Sequence, residues 1–558
     1  MRFGLVDRPR EDRWHRRPVP RLGGVAIYAG FTIPLVWVNR TNPAGLLPLL
    51  VGGAVIFAVG LIDDVVRLEN RTKLILLIVS AAVPVLLGVR FERLPALVGT
   101  PLAMIWILGA TNAFNWLDNM DGVAGGIGAI SAGTTAAFAL LSGRSEAAVC
   151  ALLLAGACLG FLLHNFPPAR LFMGDSGSGF LGFTLATIAV MGSSRDVSNV
   201  LLPVLVPGLI LAVPIFDTAL VAVQRLLHGR SIFQGGRDHP AHRLVAMGLP
   251  ERKAVLMLYG LSLLAASLAL FAARLDVVVG LIVSVGLGLA FAALGIVLSE
   301  VRVYEAAPNG NGATALPQAF VNKRWILVMA LDLLLVVLAY AGAHLLRFDG
   351  TLPPRVADAV VDTLPLVVAA KMVGLYAAGV YRGSWRYAGA LDYGRIVEGA
   401  AVGSVLAVGG LFLWMRLEGL SRGALLLDWL LTVALVGGSR LSLTFLREFL
   451  VAQAEGGRRV LIFGAGLAGA LLLRQLREDG GEYRPVGFLD DDPATHGTYF
   501  QGLKVLGGRD DLPALLRRLR VDAVIVAAPN GSSASLAELR SICEEAGADL
   551  KRFEVSLR

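Results

Sequence analysis

The sequence predicts a polytopic α-helical membrane protein, with about ten spans followed by four more, that ends in a small α/β domain. Three observations predict it. Apolar residues make up 56% of the 558 positions and charged residues 16%, against about 25% charged in a soluble domain. Apolar runs close to the ~20 residues that cross a bilayer recur through the first 445 positions. From residue 456 the pattern changes to short β-type runs alternating with helical ones.

The first group of apolar runs lies at 22–38, 46–62, 74–90, 95–114, 123–142, 147–165, 178–192, 200–223, 254–273 and 276–298. A linker follows at 306–320, where "AAPNGNGATALPQ" reads as a flexible joint. Four more runs lie at 325–346, 358–380, 395–415 and 424–445. The expected domains are a polytopic one at 1–305, a four-helix membrane module at 321–450, and an α/β domain at 456–558.

Charge orients these spans. Arg2, Arg8, Arg10, Arg13, Arg16, Arg17 and Arg21 crowd the N-terminus, which the positive-inside rule puts in the cytoplasm. Counting spans from there places the loops at 63–73, 112–122, 164–177 and 224–253, and the final domain, on the same side. The last of these loops carries Arg225, Arg230, Arg237, Arg243, Arg252 and Lys253, whereas the outer loops 39–45 and 143–146 carry one arginine each. The net charge of +8 thus reports topology and suits anionic lipids or substrates; it does not point to nucleic acid. Cys150, Cys158 and Cys543 form no CxxC pair, so neither a disulfide framework nor a thiolate metal site is expected. No cleavable apolar segment follows the arginines, so no signal peptide is expected.

Polar groups gather at the cytoplasmic ends of different spans. They are "GLIDD" with Asp63 and Asp64, "NAFNWLDNMDG" with Asn112, Asn115, Asp118, Asn119 and Asp121, "FMGDSGS" with Asp175 and Ser176, and "GRDHPAHRL" with Asp238, His239, His242 and Arg243. The N-terminal "DRPREDRWHRRPVPRLGG" is a fifth. Ionisable groups at membrane depth are costly and need partners or a function. Lying on one face, they can converge on one site. The spacing of three from Asn112 to Asp121 turns about 300° per step, so neighbours are adjacent but the ends diverge. With Asp121-Gly122 behind it, this stretch is expected to finish a helix at a cleft. Carboxylates and carboxamides without thiols favour a hard cation, Mg²⁺ or Mn²⁺, shared with substrate phosphates. The chemistry implied is metal-assisted phosphoryl transfer beside a membrane.

With these motifs in order, residues 1–300 resemble the polyprenyl-phosphate N-acetylhexosamine-1-phosphate transferase family; "PIFDT", with Asp217, matches too. The resemblance implies Mg²⁺ at Asp175 with Asn115 as second ligand, and Asp63 and Asp64 as the catalytic acidic pair, Asp63 acting on the lipid phosphate. It implies that Asp118, placed with the catalytic residues, also shapes the nucleotide-sugar pocket with Asp121 and Asn112. His239, His242 and Arg243 match the phosphate-binding loop, and Arg21 belongs to the N-terminal substrate motif. The implied partners are a UDP-sugar, undecaprenyl phosphate and membrane lipid at the bacterial inner membrane; a homodimer is admitted. Two departures stand out: family members usually carry a span ahead of the "DRP" motif, on which this chain almost starts, and the histidine loop is sparser. Read from the residues alone, Asp217 is equally well a buried structural group, Asp332 a helix-pairing group, and His164 and His228 interfacial.

In "RRVLIFGAGLAG" a strand leads into Gly464-x-Gly466-x-x-Gly469 and a helix, with Asp490–Asp492 after the next strand. This is a Rossmann-type opening for a nucleotide or dinucleotide, with Asp490 as the acidic partner. Four spans plus this domain resemble the N-terminal half of capsule-type nucleotide-sugar dehydratases. Their Tyr-x-x-x-Lys pair is missing: four residues beyond Tyr483 and Tyr499 stand Gly487 and Leu503. The second half is expected to bind, regulate or assemble. The rival to a transferase is a membrane scaffold of a glycan assembly complex.

Overall fold

The computed structural model describes residues 6–7, 18–38, 44–92, 94–192, 202–228, 230–232, 236–274, 277–299, 301, 324–348, 352–381, 390–416, 420–453, 458–478, 483–527 and 533–553. The linker at 306–320 and the arginines at 2–17 lie outside them. The chain divides into two compact units, Met1–Arg243 with Glu251–Phe445, and Leu244–Pro250 with Leu446–Arg558.

The first unit opens with β1 (Val6–Asp7) paired antiparallel to β2 (Val19–Pro20). Each apolar run of the first group then falls on a helix: α1 (Gly23–Val38), α2 (Leu47–Val66), α3 (Asn70–Leu86), α4 (Ala96–Leu117), α5 (Val123–Leu141), α6 (Ser145–Asn165), α7 (Gly174–Met191), α8 (Leu202–Ile210) with α9 (Ala212–Leu227), α11 (Glu251–Ala272) and α12 (Val277–Ser299). A short α10 (Pro240–Ala246) lies in the loop between α9 and α11. Among these, α5 and α7 are the most enclosed, with glycines, alanines and small hydroxyl residues on nearly every side.

The run at 200–223 breaks at Leu211, where α8 and α9 meet at 76°. Pro214 explains the break, because it has no N–H for the Ile210 carbonyl one turn back. That carbonyl is answered by the Ser131 hydroxyl on α5, 3.3 Å away. A freed backbone group inside the membrane needs such a partner.

Among the described residues, eight helices are long and apolar enough to cross a membrane, and nine if the bent pair is one span. One of the fourteen expected runs falls short of that length. Helix α1 has 16 residues and rises about 24 Å, short of the ~30 Å hydrocarbon core. The helix at Pro354–Ala377 carries Arg355, Asp358, Asp362 and Lys371.

The second membrane group comprises α13 (Arg324–Arg347), α14 (Pro354–Ala377), α15 (Ala390–Met415) and α16 (Arg422–Gln453). Buried ion pairs tie α16 to two of its neighbours. Arg440 pairs with Asp332 of α13, and Lys371 of α14 lies 2.7 Å from Asp428. The Tyr340 hydroxyl meets Thr363 at 2.7 Å, linking α13 to α14. Asp332 is therefore a helix-pairing group.

The second unit holds a four-stranded parallel sheet, ordered β4-β3-β7-β8. Its strands are β3 (Arg458–Phe463), β4 (Tyr483–Leu489), β7 (Ala523–Val526) and β8 (Asp549–Arg552), with a small hairpin of β5 (Tyr499–Phe500) and β6 (Leu503–Lys504). Alternation along the strands sends Val460, Ile462, Ala523 and Ile525 to one face, with Leu472 and Leu476 of α17 (Leu467–Glu478). Leu461, Phe463, Val524 and Val526 go to the other, with Leu515 of α18 (Leu512–Leu519) and Leu539 of α19 (Ser533–Ala546). Both faces are buried, as parallel sheets require.

Candidate active site

Asp63 and Asp64 are neighbours on α2, so their side chains leave the helix about 100° apart and do different things. Asp64 turns to the start of α7. Its Oδ1 accepts the Asp175 N–H at 2.9 Å, and its Oδ2 accepts the Ser176 N–H at 3.0 Å and the Ser176 hydroxyl at 2.7 Å. The first amides of a helix have no partner within it and carry partial positive charge, so a buried carboxylate is a strong cap. Glycines make room for it. A Cβ on Gly60 would lie 2.5 Å from the Ser176 Cα, and Gly174, at φ +72°, has the Asp64 Oδ2 2.7 Å from where its Cβ would be.

Asp63 turns the other way. Its Oδ1 accepts the Leu68 N–H at 2.7 Å, and its Oδ2 lies 2.7 Å from the Lys73 ammonium on α3. The same ammonium is 3.0 Å from the Asp175 Oδ2 and 3.4 Å from the Asn115 Oδ1. Asn115, near the end of α4, donates its Nδ2 to the Asp175 Oδ1 at 2.6 Å and to the Ser178 Oγ at 3.1 Å. Oxygens from α2, α4 and α7 thus converge on one cation position. The Asp175 side chain is 37% exposed, so this position is open on one side.

Helix α4 ends at Leu117, and the turn 118–122 leads to α5 through Gly122 at φ +79°. Asp118 caps α4, half-buried. Burial, followed by the charges of Asp175, Asp64 and Asp121, pushes its carboxyl up to about 8, against the pull of Arg21. Asp121 accepts the Ala169 N–H at 2.7 Å. Asn165 accepts the Gly122 N–H at 2.9 Å, and the Tyr259 hydroxyl on α11 donates to the Gly122 carbonyl at 2.5 Å. Asn112 is not drawn in: its Nδ2 donates to the Leu108 carbonyl of its own helix at 2.9 Å.

The loop into α10 reaches this turn. The His242 Nε2–H donates to the Asn119 carbonyl at 3.1 Å. Burial, then the neighbouring His239, lowers the His242 imidazole to about 4, so it stays neutral. The His239 Nδ1–H donates to the buried Asp217 at 2.8 Å. Arg243 departs from its expected place among phosphate donors. It is 1% exposed, its Nε–H donates to the Asp238 carbonyl at 2.7 Å, and its NH1 donates to the Leu298 carbonyl at 3.0 Å.

Lys73, Asn165, Ser178, Arg225 and Tyr259 are site residues that the sequence motifs do not single out. Lys73 had a signal: it is the last cation before an apolar run, ten residues past Asp63. Tyr259 had none.

In the second unit, Gly464 (φ +110°), Gly466, Gly469 and Asp490 meet at the carboxyl ends of β3 and β4. The Asp490 Oδ2 accepts the Ala465 N–H at 2.7 Å. A Cβ on Gly469 would lie 2.0 Å from the Gly464 carbonyl oxygen, so this glycine lets α17 pack against the loop.

The profile of glycosyl transferase family 4 matches residues 46–193, which hold Asp63, Asp64, Asn115 and Asp175. A Bacillus subtilis (strain 168) protein named "Probable undecaprenyl-phosphate N-acetylglucosaminyl 1-phosphate transferase" is 34% identical over 269 residues, 46% of this chain and 75% of its own length. The chain belongs to the polyprenyl-phosphate N-acetylhexosamine-1-phosphate transferase family. Within this transferase family, the decaprenyl-phosphate N-acetylglucosaminephosphotransferase of Mycolicibacterium smegmatis is 34% identical over 296 residues, 46% of this chain and 73% of its own. The undecaprenyl-phosphate alpha-N-acetylglucosaminyl 1-phosphate transferase of Escherichia coli (strain K12) is 27% identical over 289 residues, 49% and 77% of the two chains. A second profile, a CoA-binding domain, matches residues 376–551. That is consistent with a transferase fused to the membrane and α/β module of capsule-type dehydratases. With its apolar helices, this family member is a membrane protein.

Proposed function

We propose that the chain transfers HexNAc-1-phosphate from a UDP-sugar to undecaprenyl phosphate, at the cytoplasmic face of the bacterial inner membrane. An oxygen of the lipid phosphate attacks the sugar-bearing phosphorus, the bond to the other phosphate breaks, and UMP leaves. The product is a lipid-linked diphosphate sugar that initiates a surface polysaccharide. The observation that carries this reading is the convergence of Asp63, Asn115 and Asp175 from three helices on the Lys73 ammonium, which marks where a cation is favoured.

Those oxygens fit Mg²⁺ or Mn²⁺ in chemistry, since all are hard donors. Among the described residues no three acidic, histidine or cysteine side chains form a cage by themselves. In this reading the Asn115 carboxamide counts as a donor beside Asp175, with substrate phosphates completing the shell. When bound, the ion supplies charge neutralisation on the diphosphate. Asp63, at the edge of the cluster, deprotonates or orients the lipid phosphate. Asp64 positions Asp175 through the start of α7. Asp118 and Asp121 frame the nucleotide-sugar pocket with Arg21. His239 and His242 face the phosphates, and Arg243 braces their loop. The α/β domain binds a nucleotide or dinucleotide at Gly464, Gly466, Gly469 and Asp490 without catalysing a step.

The test is a screen of radiolabelled UDP-sugars with undecaprenyl phosphate in membranes carrying the chain, with and without chelator. Label should pass to lipid from at least one UDP-HexNAc and stop on chelation. Failure with every donor would leave the scaffold reading in its place.

A further inference from the structure

Helix α9 grips the loop ahead of α10 through two contacts of opposite polarity. Asp217 accepts from the His239 Nδ1–H at 2.8 Å. Two turns on, Arg225 donates Nε–H and NH2 to the two carboxylate oxygens of Asp238, at 2.8 Å each. Asp217 is 2% exposed, Arg225 5%, Asp238 0% and His239 6%. The first contact joins residues 22 apart, so it forms only when the loop folds back along α9.

The two imidazoles of the loop are set oppositely. A carboxylate only accepts, so the proton on His239 sits on Nδ1; a carbonyl only accepts, so the proton on His242 sits on Nε2. Their ring centroids are 6.4 Å apart, so both belong to one surface of the loop. With Nδ1 engaged, a phosphate oxygen that approaches the His239 ring meets Nε2. A buried carboxylate at membrane depth is costly, and Arg225 with Asp238 already anchors the loop without it.

We infer that Asp217 is a positioning residue for the transfer reaction: it fixes the orientation and tautomer of His239, so that Nε2 is the nitrogen presented to substrate phosphate. This rests on the transferase reading above, and extends it to a residue outside the Asp63, Asn115 and Asp175 cluster. Where an imidazole ligates a metal, loss of the carboxylate behind it costs about 10- to 100-fold in affinity or activity, and the same order is expected here.

The test uses the full chain in detergent, with its seven histidines ¹⁵N-labelled, and the variants Asp217→Ala, Asp217→Asn and His239→Gln. The His239 signal is the one lost in His239→Gln. In the parent chain its Nδ1 should be protonated, and in Asp217→Ala the proton should shift towards Nε2. Turnover should fall about 10- to 100-fold in both Asp217 variants, with the KM for the UDP-sugar changed less than about threefold. Asp217→Asn keeps the shape of the side chain, so a folding defect in the alanine variant alone does not blunt the test. An unprotonated Nδ1 in the parent chain, an unchanged tautomer in both variants, or parent-like turnover in both would each overturn the inference. Absence of transfer by the parent chain would instead overturn the transferase reading, and the nitrogen spectrum would still decide how His239 is held.

Discussion

Asp64 and Ser176 stand 112 positions apart in the chain, and their side chains meet at 2.7 Å. The contact brings the end of α2 to the start of α7 and fixes Asp175, the residue before Ser176, against Asn115. Asp64→Ala removes three hydrogen bonds from a carboxylate and leaves buried donors unmet. It should lower stability by about 3 kcal/mol. Asp64→Asn, which keeps one acceptor oxygen, should cost less. Thermal unfolding of the purified variants in detergent measures both.

Asp175→Asn keeps the shape of the side chain and removes its charge. Turnover should fall at least ~100-fold, the loss expected when one group at a charged transition state gives up several kcal/mol. UMP release across a Mg²⁺ titration reads it. Recovery of near-parent turnover at high Mg²⁺ would assign Asp175 to ion affinity alone.

His242 gives stability a pH dependence. Its folded pKa is lowered from 6.5 to about 4, so the contribution is complete above about pH 6.5. As pH falls, the unfolded chain takes up a proton that the folded one refuses. The contribution therefore drains between about pH 6.5 and 4, by about 3 kcal/mol at most. Unfolding measured at pH 7.5 and pH 5 should show the loss, and His242→Gln should reduce it.

The Asp332–Arg440 pair should behave as a buried ion pair. Asp332→Leu strands a guanidinium inside the second helix group and should cost about 3–5 kcal/mol. The double change Asp332→Leu with Arg440→Met should recover most of that. A cycle of the four chains by thermal unfolding decides it.

The helices were legible because their signal is local. Length and apolar content place α2, α4, α5, α6 and α11 within a few residues of the runs that predict them. The bend at Leu211 is written in Pro214, yet hydropathy averaged over a span hides it. The site was legible as a set of motifs on one side of the membrane, and the union of Asp63, Asn115 and Asp175 is what those motifs imply. Direction was not legible. Adjacency in "DD" does not tell which acid faces the cluster and which caps α7, and the arginine of "AHRL" looks like a phosphate donor until its carbonyl partners are seen. Lys73 and Tyr259 act across helix breaks, where no sequence period connects them to what they touch.

Gly60 and Gly174 have a consequence for how a substrate can be accommodated. At Gly60 backbone nearly touches backbone, and at Gly174 the Asp64 carboxylate fills the space beside the chain, so α2 and α7 have little slack to slide or tilt against each other. The acids they carry form a fixed anvil. Whatever adjustment a bulky lipid and a sugar nucleotide demand has to be absorbed away from this seam.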